Sequence, residues 1–305
     1  MWFKNVRLLQ FQKPITSKLE QLSQQLAELA FKPCPKSLPS SYGWVTPLDA
    51  DEAPLCYADQ GCILIRLRIE EKVLPPSVLR EHLTAEIKLF EQKAERRIYK
   101  DEKERLKDDV YQTLLSKAFS KSSFINGCID TKHQRLLVDC ASAKKTAHFV
   151  SLLNKCLNNL AFTPKLNSIT DIMTQWLLTN DYPTTFALTN ACLMKSLEEN
   201  GSIVRIKNED LLSDKVLTFL KDGNHVTQLS LEWNHQLRFT LKEDFLFSGI
   251  KFLETVKELA RDGMSETKEE RFASDFIIMT QTLQKFLEDV LPAFIPEENK
   301  ILATV

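Results

Sequence analysis

The chain has 305 residues, a formal net charge of −1 and 43% hydrophobic residues. This length and this hydrophobic fraction suffice for a large buried core, arranged as two domains or one elaborated domain. The first residues lack the charged-then-apolar order of a signal peptide, and no stretch approaches the roughly 18 apolar residues of a membrane span. The composition therefore predicts a cytoplasmic protein that does not enter the membrane.

The seven cysteines and seven glycines argue against several kinds of site. The cysteines form no Cys-x-x-Cys pair and are odd in number, so reduced thiols are expected. The chain has no Gly-x-Gly-x-x-Gly or Walker-type loop, and its five histidines lack the spacing of metal ligands. We therefore expect neither a metal nor a cofactor.

The first 75 residues contain strand and helix patterns. Trp2–Phe11 is typical of a strand, and Ser17–Phe31 carries leucines at the spacing of an amphipathic helix. Gly61–Ile69 alternates with period two, as a half-buried strand does. If its isoleucines are buried, its open side presents Arg66 and Arg68, which are candidate contacts for an anionic ligand.

A helical hairpin is predicted next. Ser77 is a candidate N-cap for the first helix, and Asp101 with Glu104 has the spacing of a capping box for the second. Residues 86–109 carry eight basic and eight acidic side chains, so much of the hairpin is expected to be solvated.

Phe119 lies between Lys117 and Lys121, where the second helix of the hairpin should end. Two interpretations stay open. The ring either continues the apolar stripe of Tyr111 and Leu115 into the core, or anchors the tip of the hairpin in a partner's pocket, as interface aromatics often do.

The rest of the chain alternates strands and helices without a β-α-β rhythm, which favours an α+β fold. The predicted elements are paired strands at Phe124–Ile129 and Gln134–Asp139, a helix over 143–159, a β-hairpin around Asn234-His235, and a last helix over 273–294. Asp130 and Asp139 resemble a carboxylate pair, but each adjoins turn residues, so turn and capping roles are expected.

Charge is segregated along the sequence. Between Val110 and Lys165 there are eight basic and two acidic residues, whereas residues 243–305 contain thirteen acidic and seven basic ones. A basic region on a nearly neutral protein can hold a polyanion such as nucleic acid without making the whole surface adhesive.

The most distinctive basic cluster is Lys144-Lys145, which follows the candidate N-cap Ser142. Cations in a first turn oppose the helix dipole unless an anion is bound there, so a phosphate site is one interpretation and a tolerated surface pair is the other. Ser142-x-x-Lys145 also has the spacing used by penicillin-binding enzymes, but their companion motifs are missing. Lys207 ends a predicted strand, and both phosphate contact and plain solvent exposure remain open for it.

In order and spacing, several segments resemble the recombination-associated RdgC family. They are Met1-Trp2-Phe3-Lys4-Asn5, Gly43-Trp44, Glu70-Glu71-Lys72 with Leu74-Pro75, Leu106-Lys107-Asp108, Ala118-Phe119-Ser120, Ile129-Asp130, the run from Val138 to Lys145, and Asp275-Phe276-Ile277 with Met279-Thr280. The resemblance spans nearly the whole chain, and the run from Val138 to Lys145 is its most specific part.

The resemblance implies a nucleoid-associated protein, not an enzyme, that binds double-stranded DNA with little sequence preference and restrains the RecA recombinase by occupying DNA. It also implies an elongated, horseshoe-like α+β monomer with a projecting helical hairpin, closing as a homodimer into a ring with a basic hole. The expected parts are a central domain (1–75 and 120–170), a hairpin tip domain (76–119) and a base domain (171–305).

The predicted DNA contacts combine the residue patterns with this resemblance. They are Lys144, Lys145, Lys121, Lys117, Arg96, Lys207, Arg66 and Arg68, and Phe119 is the predicted dimer gate. An alternative hypothesis is a protein-interaction scaffold whose charged hairpin docks a protein partner and whose basic patch is incidental.

Overall fold

The computed structural model describes residues 1–16, 18–48, 53–196, 198, 201–262 and 267–296. In these residues, twelve strands form a sheet: β1 (Asn5–Phe11), β2 (Ser40–Val45), β3 (Cys56–Asp59), β4 (Cys62–Val73), β5 (Phe119–Asp130), β6 (Arg135–Val138), β7 (Ala161–Phe162), β8 (Phe186–Ser196), β9 (Ile203–Lys207), β10 (Asn224–Trp233), β11 (Leu237–Lys242) and β12 (Leu246–Phe252).

Eight helices accompany these strands within the same described ranges: α1 (Leu19–Ala27), α2 (Pro76–Ala94), α3 (Lys100–Lys117), α4 (Ala143–Leu157), α5 (Ile169–Thr179), α6 (Asp214–Lys221), α7 (Glu254–Asp262) and α8 (Lys268–Val290). The predicted start of α1 at Ser17 lies outside the described residues, as does the end of the expected base domain from residue 297 onward. None of the described helices is both long enough and apolar enough to cross a bilayer.

The sheet is open and runs in the order β2-β4-β5-β6-β1-β12-β11-β10-β8-β9. β3 also pairs with β4, and β7 with β1. The first strand of the chain lies in the middle and joins the two halves, because β1 pairs with β6 on one side and with β12 on the other. The prediction of a fold that mixes helices and strands is confirmed, while the horseshoe outline and the ring stay predictions.

One face of the sheet, called here the α8 face, packs against α8. Leu64 of β4, Leu137 of β6 and Phe247 of β12 are buried in one cluster with Phe276 and Leu283 of α8. The same cluster includes residues of α5 and α6, which cover the C-terminal half of this face. Burial of these large side chains, at roughly 1.5–3 kcal/mol each, holds α8 across both halves of the sheet.

Among the described residues, the opposite face, called here the α4 face, is covered only over its N-terminal half. Ile65 of β4 and Leu136 of β6 are buried with Leu22 of α1 and with Phe149 and Leu153 of α4. This arrangement follows from the alternation along β4, since successive side chains of a strand point to opposite faces. The alternation predicted for Gly61–Ile69 is thus confirmed.

The helical hairpin exists as predicted, but both predicted caps are wrong. Pro75 is the N-cap of α2, so Ser77 lies inside the first turn, where Pro76 already supplies a preset φ. Tyr99 is the N-cap of α3, and its N–H donates to Glu102 Oε2 at 3.0 Å, which places Asp101 in the first turn. No residue of α2 is buried, so this helix packs mainly along α3.

The β-hairpin predicted around Asn234-His235 is confirmed by backbone geometry. Both residues have positive φ, 46° and 53°, which is the conformation of a two-residue type I′ turn. The turn connects β10 to β11, which pair in register from Gln228–Lys242 to Trp233–Leu237.

Candidate nucleic-acid interface

The N-terminus of α4 has the predicted geometry. Ser142 is its N-cap, and its Oγ accepts a hydrogen bond from the backbone N–H of Lys145 at 3.4 Å. The Lys145 ammonium forms an ion pair with Glu71 at 2.9 Å, whereas Lys144 is exposed and has no acidic partner within the described ranges. Of the two lysines, Lys144 is therefore the more available to a phosphate.

Lys121 lies beside this helix terminus. In the β4–β5 register it stands directly opposite Glu71, and directly opposite residues of antiparallel strands point to the same face. Glu71 is thus placed between Lys121 and Lys145, and the three side chains leave a net positive charge. The structure brings together Lys121, Lys144 and Lys145 on the α4 face.

The C-terminal half of the α4 face carries a second group of basic residues that the sequence reasoning missed. Arg238, Thr240 and Lys242 occupy every second position of β11 and so share one face, and Lys251 of β12 lies opposite Arg238. Because β10 to β12 bury their apolar side chains on the α8 face, these polar side chains point away from the core. The signal was present in the sequence, in the outward positions of the β10–β11 alternation.

Hydroxyl groups lie between these charges. Ser230, Thr240 and Ser248 are register partners across β10, β11 and β12, and the Ser230 and Thr240 hydroxyls are 2.9 Å apart. Two carboxylates on this half of the sheet are engaged: Glu232 accepts from Arg238 at 2.7 Å, and Glu243 pairs with Lys195 at 3.2 Å. The bond from Arg238 is the main cause of the lowered pKa of Glu232.

Lys207 lies at the outer edge of the same face. It is the last residue of β9, the strand that ends the sheet, and Arg205 is two residues before it on the same side. Both side chains are exposed, and neither has an acidic partner among the residues described. Lys207 is thus on the same half of the α4 face as the basic side chains of β11, with β8 and β10 between them, and on the other half from Lys144.

Arg66 and Arg68 lie on the opposite face. They share a side of β4 with Leu64, whose side chain is buried in the α8 cluster. The predicted alternation is confirmed, but this side of the strand is not the open face that the sequence suggested, because Leu64 is buried and both arginines are half-buried. They do not join the lysines of the α4 face. A single surface that contains all the predicted contacts is not formed within one chain.

Arg96 lies at the turn of the helical hairpin, between α2 and α3. Its guanidinium binds both carboxylate oxygens of Glu102, at 2.7 and 2.9 Å, and stacks 4.6 Å from the ring centroid of Tyr99. Together with the N–H of Tyr99, the hydrogen bonds from Arg96 lower the pKa of Glu102 to about 2. Within the chain, Arg96 therefore closes the hairpin turn.

Phe119 is at the base of the hairpin, not at its tip. It is the first residue of β5 and pairs with Val73 of β4, and Ala118 separates it from the exposed Lys117 at the end of α3. Its side chain is 88% exposed, so the interpretation that it packs into the core of its own chain is wrong. The apolar stripe of α3 ends at the buried Leu115 because the chain changes to an extended conformation at Ala118.

Asp130 and Asp139 have the expected turn and capping roles. Asp130 accepts from the backbone N–H groups of Lys132 and His133, and Asp139 Oδ1 accepts from those of Lys4 and Asn5. Burial raises the pKa of Asp139, against the lowering effect of these bonds. In the described parts of the chain, no three His, Cys, Asp or Glu side chains are grouped as metal ligands.

Comparison with known proteins gives matches that cover nearly the whole chain. Residues 1–297 match the family model described as "Putative exonuclease, RdgC". A protein from Aeromonas hydrophila named recombination-associated protein RdgC is 36% identical over 303 residues, 99% of this chain and 100% of the relative.

Two further relatives carry the same name. The Mannheimia succiniciproducens protein is 35% identical over 98% of this chain and 99% of its own length, and the Yersinia enterocolitica protein is 32% identical over 96% and 97%. The family description mentions an exonuclease, and the names of the relatives mention recombination. These names do not show an enzymatic activity of this chain. On the strength of these nearly full-length matches, the chain belongs to the RdgC family of recombination-associated proteins.

Proposed function

We propose that this chain is a sequence-neutral double-stranded DNA-binding protein that acts in homologous recombination by occupying DNA. The observation that carries the proposal is a group of five basic side chains that point outward from β9, β11 and β12 on the open half of the α4 face. They are Arg205, Lys207, Arg238, Lys242 and Lys251. Lys121 and Lys144 extend this charge over the other half of the same face.

The chemistry of this face suits the DNA backbone. Lysine and arginine bind phosphate oxygens, and the serine and threonine hydroxyls between them can donate hydrogen bonds to the same groups. Phosphate contacts carry no sequence information, and affinity from them depends on the number of counterions released. A binder built in this way holds any duplex with similar affinity.

Membership of the RdgC family supports the larger assembly. We propose that two chains form a homodimeric ring around the duplex, with the hairpins as tip domains, residues 171–305 as the base, and Phe119 at the contact that closes the gate. An exposed phenylalanine beside Lys117 and Val73 is suited to such a contact, because buried aromatics dominate interface energies. Protein bound along nucleoid DNA restrains RecA by competing for the same polymer.

The alternative is a protein-interaction scaffold whose charged hairpin docks a partner. Charge reversal separates the two functions. We expect Lys207→Glu with Lys242→Glu to weaken duplex binding at least tenfold, since two phosphate contacts become repulsions. Fluorescence anisotropy with a labelled 30-base-pair duplex measures the affinity, and thermal unfolding checks the fold.

The matched control is Lys285→Glu, an exposed lysine on α8, which covers the other face. The control should bind duplex as the unaltered protein does. Equal affinities for all three proteins would contradict the proposal and favour the scaffold.

A further inference from the structure

A long groove lies beside α4, where the pairing along one edge of β1 is interrupted. On this edge β12 pairs as far as Arg7 and β7 begins to pair at Gln10, which leaves the two residues between them without a partner strand in the described chain. The groove at this break has a volume of about 830 Å³. It is bounded by α4 on one side and by the β11–β12 turn and residues 160–163 on the other, and we call it the α4 groove.

The α4 side of the groove is a continuous stripe along the helix. It extends from Ala143, the first residue of α4, to the C-cap Asn158, a length of roughly 22 Å at a rise of 1.5 Å per residue. Ala147 and Ser151 lie along this stripe at four-residue steps, and their small side chains let the backbone of a bound chain approach the helix. The length of the groove corresponds to about seven residues of extended polypeptide.

The interior of the groove is apolar. Leu9 and Val150 line it and pack in the cluster between α4 and the sheet. On the opposite wall, the side chains of Leu160 and Phe162 are 56% and 45% exposed. Neighbouring large apolar side chains that remain in contact with water mark a surface suited to binding another apolar group.

The rim of the groove is positively charged. The segment from 140 to 170, which provides two of the walls, contains four lysines and no Asp or Glu. Lys155 lines the groove, is exposed, and has no acidic partner among the described residues, while the exposed Lys144 adjoins the other end. The carboxylate in the lining, that of Asp244, is bound by Arg7 at 2.8 Å. The charge of the groove is therefore complementary to an acidic occupant.

We propose that the α4 groove binds an acidic segment of a partner protein. One or two large apolar side chains of the segment would lie between Val150 and Leu160, with its carboxylates paired with Lys155 and Lys144. Peptide segments that combine apolar anchors with complementary charge are commonly recognised in a groove beside a helix. A DNA backbone in the same place would meet the lysines but leave the apolar interior without a partner.

The groove lies on the α4 face, between the two groups of basic side chains. If duplex DNA occupies this face, as proposed above, a bound acidic segment and the duplex compete. That consequence rests on the proposed function, whereas the peptide site itself does not. The primary test therefore uses the full chain without DNA.

The test begins with selection of peptides on the immobilised protein. A phage-displayed library of random peptides, about twelve residues long, is used, and enriched sequences are synthesised with a fluorescent label for anisotropy. We expect these peptides to be negatively charged and to contain at least one large apolar residue. Ala147→Trp fills the groove and Lys155→Glu reverses its charge, so each should weaken peptide binding about tenfold or more.

Each variant has a matched control on another element. Ala85→Trp replaces an exposed alanine of α2, and Lys285→Glu an exposed lysine of α8. Neither control should change peptide affinity. Thermal unfolding checks the fold, and Lys155→Glu, which alters an exposed side chain, decides the question even if Ala147→Trp lowers stability.

Three results would overturn the proposal. The selection yields no enriched peptide, the enriched peptides lack acidic residues, or acidic peptides bind both groove variants as tightly as the unaltered protein. Displacement of the labelled peptide by the 30-base-pair duplex is then measured separately. Peptide binding that depends on the groove but resists the duplex would count against the proposed DNA path alone, so the two proposals fail independently.

Discussion

At the scale of single residues, the basic character of the α4 face is set by which lysines already have partners. Lys145 is bound to Glu71, while Lys144, one residue earlier, has no acidic partner in the described structure. Sequence position alone does not distinguish them. The distinction arises from β4, whose Glu71 lies 74 residues before Lys145 and reaches the helix terminus only in the folded sheet.

Removing this carboxylate should strengthen DNA binding. We expect Glu71→Gln to tighten duplex binding about two- to fivefold at low salt, because Lys145 and Lys121 lose a competing anion while an exposed ion pair is worth only about 0–1 kcal/mol. The unfolding temperature should change little. Anisotropy on the 30-base-pair duplex measures the effect.

Glu254→Gln is the matched control, since Glu254 pairs with Lys257 and Arg261 on α7. It should leave the affinity unaltered. Unchanged or weaker binding by Glu71→Gln would mean that the terminus of α4 does not contact phosphate.

At the scale of elements, the helical hairpin is stabilised mainly from within. Its turn is closed by Arg96, Glu102 and Tyr99, and its base ends at the exposed pair Phe119 and Val73. The two ends therefore differ in chemistry, with a charged clamp at the turn and apolar side chains next to the sheet.

The clamp predicts a pH dependence. The pKa of Glu102 is about 2, below the 4.5 of an unperturbed glutamate, mainly because Arg96 binds its ionised form. The stabilisation is therefore complete above pH 4.5 and is lost as pH falls toward 2. Carboxyl-carbon NMR should show a midpoint near 2 for Glu102, rising toward 4.5 in Arg96→Gln.

Glu254 serves as the internal reference, since its pKa is lowered by Lys257 and should not respond to Arg96→Gln. A midpoint near 4.5 for Glu102 in the unaltered protein would show that Arg96 is not clamped. Arg96 would then be available for DNA, as the sequence-based hypothesis has it.

The base of the hairpin provides a test of the proposed dimer gate. Because Phe119 is 88% exposed, Phe119→Ser should leave the unfolding temperature of the chain nearly unaltered. It should raise the dimer dissociation constant about tenfold or more and shorten retention on closed circular DNA. Analytical ultracentrifugation and salt-challenged plasmid retention report the two effects, with Phe162→Ser as control. Intact dimers with normal retention would remove Phe119 from the gate.

The elements that sequence patterns predicted well are those whose signal is local. The alternation of β4, the type I′ turn at Asn234-His235 and the N-cap Ser142 all depend on neighbours in sequence. The predicted caps of the hairpin are wrong because Pro76 begins α2 before Ser77, and because Glu102 binds the N–H of Tyr99, so that α3 begins before Asp101. The element α5 was missed since its Trp176 and Met173 are buried among distant strands.

At the scale of the whole molecule, the charged groups are distributed by the sheet. The run of basic residues between Val110 and Lys165 divides between faces, while basic residues of β9, β11 and β12, far along the chain, join the α4 face. No window of sequence contains this surface, so composition could predict a polyanion partner but not its location. The surface forms because β1 joins the two halves of the sheet, which places strands from distant parts of the chain on one face.

The most direct test of the central claim is the salt dependence of duplex binding. Anisotropy with two unrelated 30-base-pair duplexes, across a series of salt concentrations, should give equal affinities for both sequences. The slope of log K against log salt should be roughly −4 or steeper, since each phosphate contact contributes about −0.9. A flat slope, no binding, or a strong preference for one sequence would contradict the proposal that the α4 face holds the DNA backbone.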